Sequence, residues 1–326
     1  MANKPSAAWK AAFLESPGPR SMREAFVLML KGFCMGIADT IPGVSGGTIA
    51  LITGIYEDLL AAIKSVDAKM IGRLFRLDFR AALAGFHARF ILALFFGIAT
   101  AILTLARVMS YLIQQHPVPT WSLFFGLIAA SVWVVGRQVE KWTPGTGISM
   151  AAGAAAGLLI VNLVPVATPE ALWFIFFSGM IAICAMILPG ISGAFLLLIL
   201  GKYEFIIATL KNPFLPANMV VIGVFGLGCV VGLAGFARFL KLLLTWYHAL
   251  TLAFLTGLMA GSMWKIWPWK EVLETAIIGG KPRVISEKNI LPQAVDGDVL
   301  FAVALMAAGF LAVLALERLS RKRHTD

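Results

Sequence analysis

Two short glycine-rich turns carry the residue types that bind anions. The first reads Ile41-Pro42-Gly43-Val44-Ser45-Gly46-Gly47-Thr48 and the second Leu188-Pro189-Gly190-Ile191-Ser192-Gly193. Proline and glycine at such a point end one helix and allow another to begin. The helix that begins there presents free N–H groups and the positive end of its dipole. Ser45, Thr48 and Ser192 add hydroxyls, while Gly46, Gly47 and Gly193 permit close approach to the backbone. Together these features suit a phosphate. Glycine and serine also permit tight helix packing, but the presence of the motif in two copies favours a binding site.

Four further kinds of residue accompany the turns. Arg107 and Arg238 each lie about two turns before the end of an apolar segment. Guanidinium binds phosphate bidentately, so both are candidate phosphate receptors, one toward each leaflet; snorkelling to headgroups is their plainer role. Asp39, with Thr40 beside it, is a candidate for proton or sodium coupling, and a residue bonding local amides is the plainer reading. Glu57 and Glu204 follow their serines by 12 residues, ~18 Å along a straight helix, which makes them secondary candidates for gating near the interface. Cys34, Cys184 and Cys229 sit in apolar runs without CxxC spacing, and the four histidines are scattered. Neither a metal site nor a cofactor is expected.

The elements that position these residues are transmembrane. The chain has 326 residues, 60% of them hydrophobic and only 13% charged, with a mean hydropathy of +0.87. A soluble domain carries about twice that charge. The net charge of +10 lies mostly in short stretches between apolar runs, the pattern of cytoplasmic loops and not of a nucleic-acid-binding face. Residues 1–24 lack an apolar core ending in small residues, so no cleavable signal is expected.

Spans are predicted over 89–113, 120–137, 147–166, 218–245, 248–267 and 299–317. Two further stretches, 25–63 and 171–210, are split by the glycine-rich turns. Lys10, Arg20 and Arg23 precede the first, and Lys64, Lys69, Arg73, Arg76 and Arg80 follow it. With basic flanks on both sides, it reads as a re-entrant hairpin. The expected fold is an all-α polytopic membrane protein with both termini cytoplasmic. A cytoplasmic segment (1–22) and a basic tail (318–326) flank the spans, and a charge-balanced external stretch covers 268–298.

An internal repeat organises the whole chain. Pro42-Gly43-Val44-Ser45-Gly46 matches Pro189-Gly190-Ile191-Ser192-Gly193 at an offset of 147, as does Gly54-x-Tyr56-Glu57 with Gly201-x-Tyr203-Glu204. Ala106-Arg107 pairs with Ala237-Arg238, and Gly126 through Trp133 with Gly257 through Trp264, at an offset of 131. Each unit, 23–166 and 167–317, then holds one hairpin and three spans. An odd number of crossings inverts the second unit relative to the first, an architecture common in transporters. Asp39, Thr40 and Thr48 face Met186, Ile187 and Phe195, so polarity is concentrated in the first hairpin.

The run from Gly36-Ile37-Ala38-Asp39-Thr40 through Thr48, with Gly54-Ile55-Tyr56-Glu57 after it, resembles the signature of the polyprenyl-phosphate transporter (PopT) family. Leu188–Gly193 and Ile266-Trp267-Pro268-Trp269-Lys270 fit it as well, and the resemblance runs from about residue 22 to 317. It implies translocation of undecaprenyl phosphate from the outer to the inner leaflet of the bacterial cytoplasmic membrane, which recycles the carrier lipid for peptidoglycan. Two other readings stay open. A small-anion transporter or channel uses the same hairpins. An undecaprenyl-pyrophosphate phosphatase resembles the architecture too, but Gly46 and Gly193 stand where those enzymes look to have arginine.

Overall fold

The computed structural model describes residues 5–40, 45–66, 70, 72, 73, 76–166, 168–278, 281–292 and 294–322. The Ile41–Val44 part of the first turn and basic residues such as Lys69 and Arg323 therefore lie outside the described residues. The chain runs through α1 (Pro5–Glu15), α2 (Met22–Asp39), α3 (Gly46–Ile52), α4 (Tyr56–Lys64), α5 (Phe79–Gly85), α6 (Ala88–Gln115), α7 (Pro117–Gly136) and α8 (Pro144–Val161). It continues through α9 (Leu172–Ile187), α10 (Gly193–Ile199), α11 (Tyr203–Lys211), α12 (Pro216–Trp246), α13 (His248–Ser262), β1 (Lys270–Ile278), β2 (Lys281–Asn289) and α14 (Gly297–Lys322). Among the described residues, six helices are long and apolar enough to cross a membrane: α6, α7, α8, α12, α14, and α13 with the 3-10 turn that extends it to Ile266. These are the six spans expected. Local chemistry sets their starts: Pro117, Pro144 and Pro216 open helices where a missing N–H costs nothing. Thr143 and Thr146 form a reciprocal capping box on α8.

The two hairpins form, but their return arms are not the single helices expected over 48–63 and 192–210. α3 gives way to α4 at a bend of 116°, and α10 to α11 at one of 107°. The cause is a glycine at the same place in each repeat, Gly54 at φ +71° and Gly201 at φ +63°, values that favour glycine over any other residue. Each return arm is thus a seven-residue helix followed by one turned aside. Glu57, in the first turn of α4, does not lie 18 Å down a straight helix from Ser45. It sits beyond a corner.

Packing follows the repeat correspondence. α2 packs on α6 as α9 packs on α12, and α7 packs on α14 as α13 packs on α8. Close approach in the first two pairs depends on equivalent glycines. A Cβ on Gly32 would meet the Leu94 carbonyl at 2.3 Å and one on Gly97 the Met29 carbonyl at 2.0 Å. In the second repeat, Gly179 would meet the Phe225 carbonyl at 2.5 Å and Gly228 the Phe176 carbonyl at 2.1 Å. Small residues that let backbones touch are how apolar helices associate without a hydrophobic drive between them. Outward faces carry large apolar side chains such as Leu92, Phe95, Phe96, Leu159 and Trp173.

Three regions differ from expectation. The stretch at 268–298 contains an antiparallel two-stranded hairpin, β1–β2, with Lys270 opposite Asn289, so the fold is helical with one small sheet added. The segment at 1–22 contains α1, and it is tied down where Arg89 donates to the Ser16 carbonyl. Helix α8 stops at Val161, short of 166, because the chain beyond it is extended and the Val166 N–H bonds the Ile199 carbonyl.

The glycine seam predicts a pair of opposite outcomes. A Cβ on Gly257 would lie 2.0 Å from the Met150 carbonyl, whereas one on Gly235 meets nothing within 4 Å. Gly257→Ala should cost about 1–3 kcal/mol by forcing α13 off α8. Gly235→Ala should be neutral or slightly stabilising. Thermal unfolding of the purified protein in detergent checks both, and equal midpoints for the two variants would refute the close-packed seam.

Candidate functional site

The described end of the first glycine-rich turn, Ser45–Thr48, meets the second turn in space, although the two motifs lie 147 residues apart in sequence. Ser45 Oγ donates to the Met186 carbonyl at 3.1 Å, and Thr48 Oγ1 accepts from the Gly190 N–H at 2.9 Å. Tyr56 Oη donates to the Ile187 carbonyl at 3.0 Å. Gly47 is small for the same reason, since a Cβ there would lie 2.5 Å from the Ile187 carbonyl. Ser45, Thr48 and Tyr56 are 1%, 0% and 2% exposed, so the junction is buried. Backbone groups freed where α9 ends are satisfied by side chains of the opposite hairpin, which is what irregular backbone inside a membrane requires.

At the start of α3 the anion position is already filled. Asp39 Oδ1 accepts from the Gly46 N–H at 2.7 Å, and Ser45 Oγ accepts from the Gly47 N–H at 3.1 Å. The amides expected to receive a phosphate are held by the protein's own carboxylate and hydroxyl. Thr40 Oγ1 donates to the Ile37 carbonyl at 2.6 Å and caps its own helix. The second turn differs: Ser192 makes no capping bond to α10, and a Cβ on Gly193 would meet the Ala182 carbonyl at 2.4 Å. Here Gly193 serves packing between the two arms.

The arginines part company. Each stands eight residues before the end of its helix, Arg107 in α6 and Arg238 in α12. Arg107 is exposed and holds no hydrogen bond or ion pair among the described residues. It shares the outward face of α6 with Thr100, Thr104 and Tyr111. Arg238 donates to the Ala234 carbonyl at 2.8 Å and to the Val66 carbonyl at 3.0 Å, tying α12 to the segment that follows α4. Glu57 is an exposed carboxylate 3.9 Å from both Lys241 Nζ and His248 Nε2. It lines a pocket of about 270 Å³ with Tyr56, Asp58, Gln138 and His248. Ser45, Thr48 and Ser192 are not part of that lining. Glu204 is half-buried on α11.

Some structural anchors escaped the sequence reading. Lys31 Nζ donates to the Thr53 carbonyl at 2.7 Å, bracing the corner between α3 and α4. Lys202, 2% exposed, donates to the Thr168 carbonyl at 2.9 Å beside the equivalent corner. A lone lysine inside the apolar run 25–40 was the signal for the first. Tyr56 was visible as a repeated residue, but only the folded structure gives its hydroxyl a partner.

Two bent hairpins whose tips meet inside a bundle of six apolar helices define a multi-pass membrane protein of transporter architecture. The chain belongs to the undecaprenyl phosphate translocase-like family, whose match covers residues 35–280. A polyprenyl-phosphate transporter of Vibrio cholerae is 40% identical over 300 residues, 90% of this chain and 96% of the relative. One of Staphylococcus aureus is 29% identical over 258 residues, 74% of this chain and 86% of the relative. No solved structure matches the chain. Family and relatives are transporters and not enzymes.

The tip junction has a direct test. Thr48→Val keeps the shape but leaves the buried Gly190 N–H without an acceptor, and should cost about 1–3 kcal/mol. Thr48→Ser retains the oxygen and should lose much less. Thermal unfolding distinguishes them; equal losses would mean the bond contributes nothing.

Proposed function

We propose that this chain carries undecaprenyl phosphate from the outer to the inner leaflet of the cytoplasmic membrane and so recycles the carrier lipid for envelope synthesis. Family membership supplies the substrate. The observation that carries the mechanism is the buried junction of the two hairpins, with Asp39 lying on the α3 amide that an incoming phosphate would use. In this reading the units 23–166 and 167–317 are inverted repeats, both termini are cytoplasmic, and the β1–β2 hairpin faces outward. Alternating access opens the tips first to one side and then to the other.

Moving a bare phosphate through hydrocarbon costs on the order of tens of kcal/mol in the Born limit, so polar groups must meet it along the way. Arg107, with no competing partner among the described residues, is the receptor on the outer side. Arg238 is the receptor on the inner side, and it must leave the Val66 carbonyl to serve. Asp39 and the phosphate are like-charged and compete for one amide, which makes Asp39 the natural place for a coupling proton or sodium ion. Asn at 39 would keep an acceptor for Gly46 while removing the charge. Glu57 and Glu204, one on each turned-aside helix, are the gating carboxylates.

Leaflet exchange of undecaprenyl phosphate in proteoliposomes, with phosphate release assayed in parallel, tests the proposal. Wild type should exchange the lipid without hydrolysis. Arg107→Ala should lose ~10-fold or more of the rate with an unchanged unfolding midpoint, because the side chain makes no bond among the described residues. Arg238→Ala should lose the rate and also about 1–3 kcal/mol of stability. Normal exchange by both variants would sink the receptor assignment. Competition by a soluble inorganic anion at the expense of the lipid would favour the small-anion reading.

A further inference from the structure

A second cluster of charge lies where α13 hands over to the β-hairpin. Lys265, in the 3-10 turn after α13, and Lys270, the first residue of β1, share one oxygen of Glu287. Their Nζ atoms are 2.9 and 2.8 Å from Glu287 Oε1. Lys270 also donates to the Lys265 carbonyl and lies 4.9 Å from the centre of the Trp121 ring. Lys265 lies 5.4 Å from the ring of Phe195. Around them Phe125 and Trp267 meet edge to face at 5.4 Å, and Trp267 and Trp269 at 5.5 Å. The Trp267 indole N–H donates to the Ile290 carbonyl at 2.8 Å, which fastens the hairpin's return strand to this rim.

Two ammonium groups and one carboxylate leave a positive charge uncompensated in a partly buried aromatic setting. The side chains are 28%, 10% and 23% exposed for Lys265, Lys270 and Glu287. Burial presses Lys270 toward its neutral form, and Glu287 opposes it. Burial would also raise Glu287, but the charges of Lys270 and Lys265 outweigh it and hold the carboxyl below its usual range. Each ammonium has three N–H donors, and Glu287 takes only one from Lys265. A phosphate monoester offers three oxygens and up to two charges, and satisfies this pair better than a single carboxylate oxygen does.

Position gives the cluster its meaning. Phe195, under Lys265, is in the first turn of α10 and occupies the repeat position of Thr48. In the first repeat that position bonds the opposing tip; in the second it carries a cation. The aromatic rim is the kind found at headgroup depth.

We propose that Lys265 and Lys270 form an entry site for the phosphate monoester of a lipid, with Glu287 as the resident anion that the phosphate displaces. This rests on the reading of the chain as a lipid-phosphate carrier. The tail stays in the bilayer beside Trp121 and Trp267 while the headgroup replaces Glu287, then moves along α10 toward the tips. Glu287 returns to the lysines as the phosphate leaves, so the buried cations are never unpaired, which would be the costly state.

The test titrates the full chain in detergent with a short-chain polyprenyl monophosphate and, separately, with inorganic phosphate. Calorimetry reads affinity, and proteoliposome exchange is measured alongside. Glu287→Gln removes the competitor and should tighten lipid-phosphate binding by ~10-fold, whereas Lys265→Gln and Lys270→Gln should weaken it by ~10-fold or more. Lys265→Gln, at the more open position, keeps the test available if Lys270→Gln does not fold. Wild-type exchange with all three variants binding like wild type would overturn the entry site and leave the transport reading standing. Inorganic phosphate binding that follows the three variants, without lipid binding or exchange, would keep the anion site and overturn the lipid as its source. No binding of either probe by wild type would overturn the site outright.

Discussion

Backbone that leaves the helix inside a membrane must find its hydrogen-bond partners within the protein, and this architecture depends on that requirement being met twice at one place. Each hairpin tip breaks a helix, and each break would be untenable alone. Brought together, the first tip supplies Ser45, Thr48 and Tyr56, and the second supplies the Met186 and Ile187 carbonyls and the Gly190 N–H. The partnership explains why the surrounding residues are small. Gly47 cannot carry a Cβ against the Ile187 carbonyl, and Gly190, at φ +85°, is pressed against Ser262 and Met259 of α13. The long helices hold this contact in place.

A second theme is the use of internal carboxylates where an external anion is expected. Asp39 lies on the first amide of α3, and Glu287 lies between two lysines. Both stand at places whose chemistry suits a phosphate, and both arise from asymmetry between the repeats. Met186 replaces Asp39 in the second half, and among the described residues the first half has no counterpart of the β-hairpin. A backbone arranged as two similar halves thus carries an unequal distribution of charge, with acid on one tip and base beside the other.

Much of this was legible in the sequence because membrane folding is governed by few rules. Long apolar runs with basic flanks gave the six spans, and the duplicated Pro-Gly-x-Ser-Gly turn gave the two hairpins. The corners at Gly54 and Gly201 were present as a repeated motif, but a repeated glycine does not announce a positive φ. The β1–β2 hairpin escaped because Lys270–Asn289 is charged and lacks an apolar alternation strong enough to mark strands. Within the site, the residue types could be read from the sequence, but their partners could not. Ser45 and Thr48 looked like ligands for phosphate because sequence cannot show that the opposite tip, 142 residues from Thr48 in the case of Gly190, engages them first. Arg107 and Arg238 are equivalent by position, and only the folded chain distinguishes an open guanidinium from one bonded to two carbonyls.

Helices α6 and α12 have 28 and 31 residues, so they are about 42 and 46 Å long against a hydrocarbon core of about 30 Å. Upright and centred, they overhang that core by ~6–8 Å at each end. Both arginines stand eight residues from their helix ends, or ~12 Å, which leaves each anchored only ~4–6 Å inside the hydrocarbon boundary. A side chain rooted at that depth is within reach of water in a thin bilayer and submerged in a thick one. Acyl-chain length in the host membrane therefore sets how strongly each arginine is desolvated, and with it how strongly its charge acts on its surroundings.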